Sequence, residues 1–349
     1  MHGPPKILIV LIAGIGDFVM ASKAIRSIGR QGSVGVSLLA SSEAASMAKS
    51  YPWFEEVYAF PIRELRKNKR YVLDILRLLI KLRRTKYDQI MNLYRITSWT
   101  GALKMGILFA LLKARDKIGH DRYGFGLFLT QKVFAGIFEG RHMADAMQEI
   151  ALTAGGIRDD RGLEVFWNPK SIARWDTWFK GLSGQILVGI NPGGDRENRR
   201  WFPDRFAAVA RGLIERFGAR IILLGGPAEK RLAAFIADGI HADVINLCGE
   251  IPLDELPYVL SRLDILITND SGPMHIAAAD GTPIVALFGP ADPEHFRPYM
   301  APERYRILHK PIPCRPCEKD QCASPLCLEA IFVEEVLASC MELLNGKKR

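Results

Sequence analysis

Residues 263–299 read LDILITNDSGPMHIAAADGTPIVALFGPADPEHFRPY, and the order of apolar and polar runs in this stretch decides the fold. Residues 265–268 form a short apolar run of the kind that makes a buried strand, and residues 283–288 form a second. Between them lie the turn-forming Asn269-Asp270-Ser271-Gly272-Pro273 and a small-residue helix over 274–280. Strand, loop, helix and strand make a βαβ unit. The loop leaving its first strand and the first helical turn then lie at the carboxyl edge of a parallel sheet, where free N–H groups and the positive helix end suit a phosphate. Gly272 permits close backbone approach, Ser271 offers a hydroxyl, and His275 sits on the first turn. The loop 289–293 follows the second strand and borders the same crevice. Asp270 or Ser271 as a plain helix N-cap, and His275 as a solvated helix residue, are the structural alternatives. The convergence of all these pieces in one loop favours an anion site.

Outward from this unit, the same alternation runs through the chain. The first half opens with an apolar strand at 7–12, the turn Ala13-Gly14-Ile15-Gly16-Asp17 and a helix over about 18–28, a Rossmann-like opening without the G-x-G-x-x-G spacing of a dinucleotide site. Further strands are expected at 34–39, 57–60, 89–93 and 117–118. A polar, Trp-bearing helix at 171–180 and the glycine-rich 181–184 suggest a boundary. From 186–190 the plan repeats: strand, Asn191-Pro192-Gly193-Gly194 loop, helix 204–217, strand 220–224, helix from 228. The predicted class is therefore α/β with mostly parallel sheets, in two Rossmann-like halves.

The 349 residues exceed what one core usually fills, in keeping with two domains. Apolar residues at 48% and charged residues at 24% are ordinary for a globular protein. A formal charge of +9 calls for an anionic partner without naming it. Between Arg63 and Lys86, ten Lys/Arg stand against Glu64 and Asp74, with Leu and Ile at helical spacing. That is either a solvated helix face or a basic amphipathic surface for anionic lipid or a phosphorylated saccharide. Nucleic acid is a weaker reading, because no zinc-finger, helix-turn-helix or RRM pattern is present. Neither a signal-peptide pattern nor an apolar run long enough to span a bilayer is seen, so a cytoplasmic protein is expected. Four cysteines cluster as Cys314-x2-Cys317-x4-Cys322-x4-Cys327. In a cytoplasmic protein they read as a structural metal cluster or as loop thiols, and no metal is assigned to them. Cys248 and Cys340 read as core or helix residues.

The segment 269–293 resembles, nearly residue for residue, the nucleotide-sugar loop of the bacterial ADP-heptose:lipopolysaccharide heptosyltransferases, glycosyltransferase family nine. Two further blocks stand in the family's order: Gly14-Ile15-Gly16-Asp17 near the start, and Asn191 to Gly194 followed by Arg199-Arg200-Trp201. The resemblance covers nearly the whole chain and is weakest over about 63–155. It implies the GT-B architecture, two Rossmann-like domains facing each other across a cleft: an acceptor-binding domain over 1–170, a nucleotide-sugar domain over 184–330, and a C-terminal helix in 331–349 packing back across the cleft.

The resemblance also assigns roles. Asp17 matches the family's catalytic base, against an N-cap role that spacing alone supports equally. Arg199 stands where the family commonly has a Lys contacting the sugar-diphosphate, with Arg200 as the competing cation and Phe202 an insertion before Pro203. Glu229, after the strand at 221–224, matches the carboxylate that binds the ribose hydroxyls of ADP, against a first-turn acid complementing the helix dipole. Phosphate contacts carry over to Ser271, Gly272, the backbone of Met274 and His275, with Asp270 shaping the loop. No paired carboxylates at metal-ligand spacing are present, so no cofactor and no catalytic Mg²⁺ are expected.

The expected function is then an inverting transfer of heptose from ADP-heptose to a lipid A-linked lipopolysaccharide inner-core acceptor, at the inner face of the cytoplasmic membrane, with peripheral contact to anionic lipid. The alternatives are another nucleotide sugar or a different acceptor within the family, a sugar-nucleotide epimerase of related architecture, and a basic nucleic-acid-binding protein.

Overall fold

A computed structural model of the protein describes residues 4–32, 34–170, 172–317 and 322–346. Ser171, the expected start of the Trp-bearing helix, and the side chains of Arg66 and Lys67 in the basic run lie outside the described residues. The chain divides into two units, Met1–Glu164 and Val165–Arg349.

The first unit holds β1 (Lys6–Leu11), β2 (Gly35–Ser41), β3 (Glu56–Phe60), β4 (Tyr87–Asn92), β5 (Ala114–Asp121) and β6 (Gln131–Phe134). They form one sheet in the order β3-β2-β1-β4-β5-β6, with every pair parallel. Parallel strands covered on both faces must be apolar on both, which is why β1 reads KILIVL and is buried after its first residue. On one face, the helices Tyr71–Arg84 and Trp99–Leu111 contribute Leu82, Ala102, Met105 and Phe109 to a shared core with Leu8 and Val10 of β1. Elsewhere in the unit, the helices Ile15–Gly29 and Met143–Thr153 pack on each other. The chain after them is locked to the first of the two by Arg26, whose buried guanidinium pairs with Asp159 at 2.6 Å and Glu164 at 2.7 Å.

The second unit holds β7 (Leu187–Asn191), β8 (Arg220–Leu223), β9 (Ile245–Asn246), β10 (Ile265–Asn269), β11 (Ile284–Phe288) and β12 (Tyr305–His309). Their order is β12-β11-β10-β7-β8-β9, again all parallel. Counted from its own first strand, this is the same strand order as in the first unit. The tandem Rossmann-like halves of the sequence are thus two copies of one topology, and the fold is α/β as expected. The strand order reverses between β1 and β4 in the first sheet and between β7 and β10 in the second, so each sheet has one switch point at its carboxyl edge.

The division falls earlier than the glycine-rich 181–184. The Trp-bearing helix, Ala173–Lys180, belongs to the second unit because Trp175 Nε1 and Arg174 Nη2 both donate to Glu255, at 2.6 and 2.7 Å. The C-terminal helix Val333–Gly346 seats Val336, Leu337, Cys340, Leu343 and Leu344 in the second unit's own core and packs on the helix Pro203–Phe217. Cys248 is buried there too. Among the described residues no helix is long and apolar enough to cross a membrane.

Candidate active site

β7 and β10 run side by side, with Thr268 in register with Asn191, and each strand ends on an asparagine. Those two buried amides stitch the two following loops together. Asn191 Nδ2 donates to Thr268 Oγ1 and to Ser271 Oγ, both at 3.1 Å. Asn269 Nδ2 donates to the carbonyls of Pro192 and Gly193 at 2.8 and 3.0 Å, and its Oδ1 accepts the Trp201 N–H at 3.0 Å. A primary amide is the side chain that can donate and accept from one position, which is what Asn269 does here.

A second tie between the loops is ionic. Arg199 Nη1 lies 2.9 Å from Asp270 Oδ2, the carboxylate buried and the guanidinium partly so. Burial pushes the Asp270 carboxyl up, and the Arg199 charge opposes it. Arg200 turns elsewhere: Nε and Nη2 both donate to the Gly194 carbonyl, at 2.9 and 2.7 Å, and Nη2 stands 4.0 Å from Glu229 Oε1. The two arginines that sequence could not separate therefore face different partners. Trp201 anchors the loop behind them, buried with its Nε1 on the Ile331 carbonyl. The inserted Phe202 is absorbed as the N-cap position of the helix Pro203–Phe217, with the Arg205 guanidinium over its ring.

Glu229 closes the crevice on the β8 side. Its Oε2 accepts the Gly226 N–H at 2.8 Å, and a Cβ on Gly193 would sit 2.9 Å from its Cγ, so a larger residue there would push Glu229 aside. Ser271 is held by Asn191, Glu229 packs against Gly193 two residues on, and Arg200 binds Gly194. These contacts bring Arg199, Arg200, Glu229, Asp270 and Ser271 together on the loops after β7, β8 and β10.

Ser271 occupies the N-cap position of the helix Gly272–Asp280, but its side chain makes no capping bond and instead joins the Asn191–Thr268 network. Within the first turn Pro273 has no N–H, and the Met274 N–H donates to the Ser271 carbonyl at 3.1 Å. That leaves the amides of Ser271 and Gly272, rather than that of Met274, as the donors for an incoming anion among the described residues. The Met274 side chain and His275 are both buried. The loop 289–293 is braced from behind by the cysteine segment, through Cys317 N to the Pro290 carbonyl at 3.0 Å and Arg315 Nη2 to the Ala291 carbonyl at 2.7 Å. Cys314 and Cys322 are exposed and Cys327 is buried, all as free thiols. Among the described residues no three His, Cys, Asp or Glu side chains are grouped to hold a metal ion. The visible role of their segment is this bracing.

In the first unit, Asp17 lies at the equivalent place, the turn after β1 beside the β1/β4 switch point. The helix begins earlier than its sequence suggests, at Ile15, with Gly14 as its N-cap. Asp17 is therefore the third residue of the first turn and not the N-cap residue itself.

Three comparisons bear on this geometry. Residues 75–327 match glycosyltransferase family 9 (heptosyltransferase). Lipopolysaccharide heptosyltransferase 3 of Escherichia coli is 26% identical over 294 residues, covering 81% of this chain and 83% of that protein. Among solved structures, a family 9 glycosyl transferase from Veillonella parvula superposes with a TM-score of 0.80 at 21% identity, covering 99% of each chain. An E. coli heptosyltransferase solved with ADP gives 0.73 at 19% identity, covering 97% of this chain and 99% of that one. The structural likeness shows the fold, which is GT-B.

Proposed function

The chain belongs to glycosyltransferase family 9, the heptosyltransferases, and from that premise we propose that it transfers heptose from ADP-heptose to a lipid A-linked lipopolysaccharide inner-core acceptor, with inversion at the anomeric carbon. The observation that carries the donor assignment is the convergence of Arg199, Arg200, Glu229 and Ser271 on the β7/β10 switch point. A switch point is where open α/β sheets bind nucleotides, and this one presents cations and a helix N-terminus on one side and a carboxylate on the other.

Each group then has a chemical task. As the bond from the anomeric carbon to the ADP β-phosphate oxygen breaks, negative charge grows on the diphosphate. The Arg199 guanidinium and the Ser271 and Gly272 amides stabilise that charge, and because their positions are fixed by Asp270 and Asn191 they need no reorganisation as it develops. Glu229 accepts hydrogen bonds from the vicinal ribose hydroxyls, with the Arg200 guanidinium 4.0 Å from its Oε1. Asp17 takes the proton of the acceptor hydroxyl as that oxygen attacks, and the displacement inverts the centre. No step needs a metal from this chain. The donor reading extends to a place in the cell: work at the inner face of the cytoplasmic membrane, with the basic face of residues 63–86 in peripheral contact with anionic lipid.

The test is to incubate the protein with ADP-heptose, with and without a lipid A-linked acceptor lacking heptose, and to follow ADP release. Release that depends on the acceptor supports transfer. Equal release without acceptor, or isomerisation of the donor alone, contradicts it.

A further inference from the structure

The helices Tyr71–Arg84 and Trp99–Leu111 share one face of the first sheet, with their inner sides in a common core. A helix that has buried one face usually turns charge to water on the other. These two do not. Trp99–Leu111 reads WTGALKMGILFAL, with Lys104 as its one charged residue. At four-residue spacing Trp99, Leu103 and Ile107 face solvent, 62%, 66% and 54% exposed. Along the neighbouring helix Leu73, Leu76 and Ile80 are 61%, 50% and 54% exposed. An apolar layer of this extent on the outside of a globular unit marks an interaction surface.

Charge and aromatic placement say what covers it. The helix Tyr71–Arg84 ends in Lys81, Arg83 and Arg84, all exposed, and residues 63–86 carry ten cations against two acids. At the start of the other helix, Trp99 stacks edge-on with Phe125 at 5.0 Å, and the exposed Tyr123 beside Phe125 carries the Arg122 guanidinium over its ring at 4.9 Å. Aliphatic side chains at the centre, Trp and Tyr at an edge and cations alongside match in turn the acyl, interfacial and phosphate layers of an anionic bilayer. A second copy of this chain would set the same cations against one another.

We propose that the outer faces of these two helices form one lipid-inserting platform, in which Tyr71–Arg84 supplies the electrostatic attraction and the Trp99–Leu111 ridge enters the acyl boundary. This deepens the membrane contact of the proposed function, from a charged face that is drawn to lipid to an apolar ridge that inserts. It stands independently of the heptosyl chemistry.

Co-sedimentation with phosphatidylcholine vesicles, with and without phosphatidylglycerol, tests it at low salt and at about 0.5 M salt, where exposed charges are screened. Two double variants are compared with the native chain: Leu103→Asp with Ile107→Asp, and Arg83→Glu with Arg84→Glu. The native chain is expected to bind anionic vesicles and to keep part of that binding at high salt. The Leu103/Ile107 variant loses about tenfold or more in partitioning at both salt levels, whereas the Arg83/Arg84 variant loses binding at low salt alone. Unfolding midpoints and the thermal shift given by ADP are read on the same samples, so a folding defect or a failed donor site is seen separately. The proposal is overturned if the Leu103/Ile107 variant binds like the native chain, or if the native chain ignores anionic vesicles. It is equally overturned if the native chain is a dimer without lipid and that variant a monomer, which would assign the ridge to contact between copies.

Discussion

Arg199 and Asp270 form a 2.9 Å ion pair that ties the loop after β7 to the loop after β10, directly over the switch point of the second sheet. The pair does two jobs: it holds the guanidinium in place, and it offsets part of the cost of burying the carboxylate.

Asp270→Ala therefore strands a half-buried cation and should cost about 2 kcal/mol in chemical denaturation. Asp270→Asn keeps an oxygen for Arg199 and should change stability little at neutral pH. The sign of the pH effect follows from the raised carboxyl of the folded protein. An acid with a raised folded pKa binds protons more readily folded than unfolded, so its contribution to stability falls as pH rises from about 4 through the raised value. Urea midpoints measured across that window should show a shallower fall in Asp270→Asn than in the native chain.

Asn269 satisfies three backbone groups at once. Asn269→Ala leaves the Trp201 N–H and the Pro192 and Gly193 carbonyls buried without it, at a cost of about 3 kcal/mol. Because it loosens the loop that presents Arg199, it should also raise KM for the donor more than it lowers kcat. An unchanged KM would separate this network from donor binding.

Asp17 is a first-turn residue behind a Gly14 cap. Asp17→Asn should lower kcat about 10²- to 10⁴-fold while ADP binding stays intact, since a base acts in the transition state. Its helix-dipole contribution is at most about 1 kcal/mol, so the unfolding midpoint should barely move. Near-native turnover in this variant would leave the base elsewhere.

His120, at the end of β5, is fully buried, and its Nε2 accepts the Ile96 N–H at 3.0 Å. Burial lowers its pKa from 6.5 to about 4, against the Tyr94 carbonyl, which favours the proton; Arg95 and Arg122 disfavour it and Asp121 favours it. A base with a lowered folded pKa gives stability that is fully present above the unfolded value and is lost as pH falls through the folded one. The first unit should accordingly lose roughly 3 kcal/mol between pH about 6.5 and 4 from this group. Denaturation midpoints of His120→Gln should depend less on pH over that range, and an equally steep dependence would assign the acid sensitivity to other groups.

The sequence carried the central βαβ unit because a buried parallel strand must be apolar on both faces, as in ILITN and IVALF. Three of the four edge strands carry no such mark, β3 being the exception. β6 (QKVF), β9 (Ile245–Asn246) and β12 (YRILH) are short and only partly buried, and no strand was expected at any of them. The residues of the site were legible as types at loop positions, but their pairing was not. Nothing local to Arg199 and Arg200 says which of them meets Asp270, because the partner comes from a distant loop. The bridging roles of Asn191 and Asn269 were missed for the same reason. Their one visible signal was an asparagine closing each of two adjacent apolar strands. Likewise, Asp17 looked like a cap because Gly14-Ile15-Gly16 reads as turn, whereas the helix already starts within it.

Thermal unfolding of the native chain and of Glu229→Ala with ADP, GDP, CDP and UDP tests the donor site most directly, since a ligand that binds the native fold raises its stability by RT ln(1 + [L]/Kd). The account predicts that ADP raises the native midpoint more than the other three, and that Glu229→Ala loses most of that shift while its own ligand-free midpoint stays near native. Equal shifts from all four nucleotides, a larger shift from another base, or an ADP shift untouched by Glu229→Ala would contradict it.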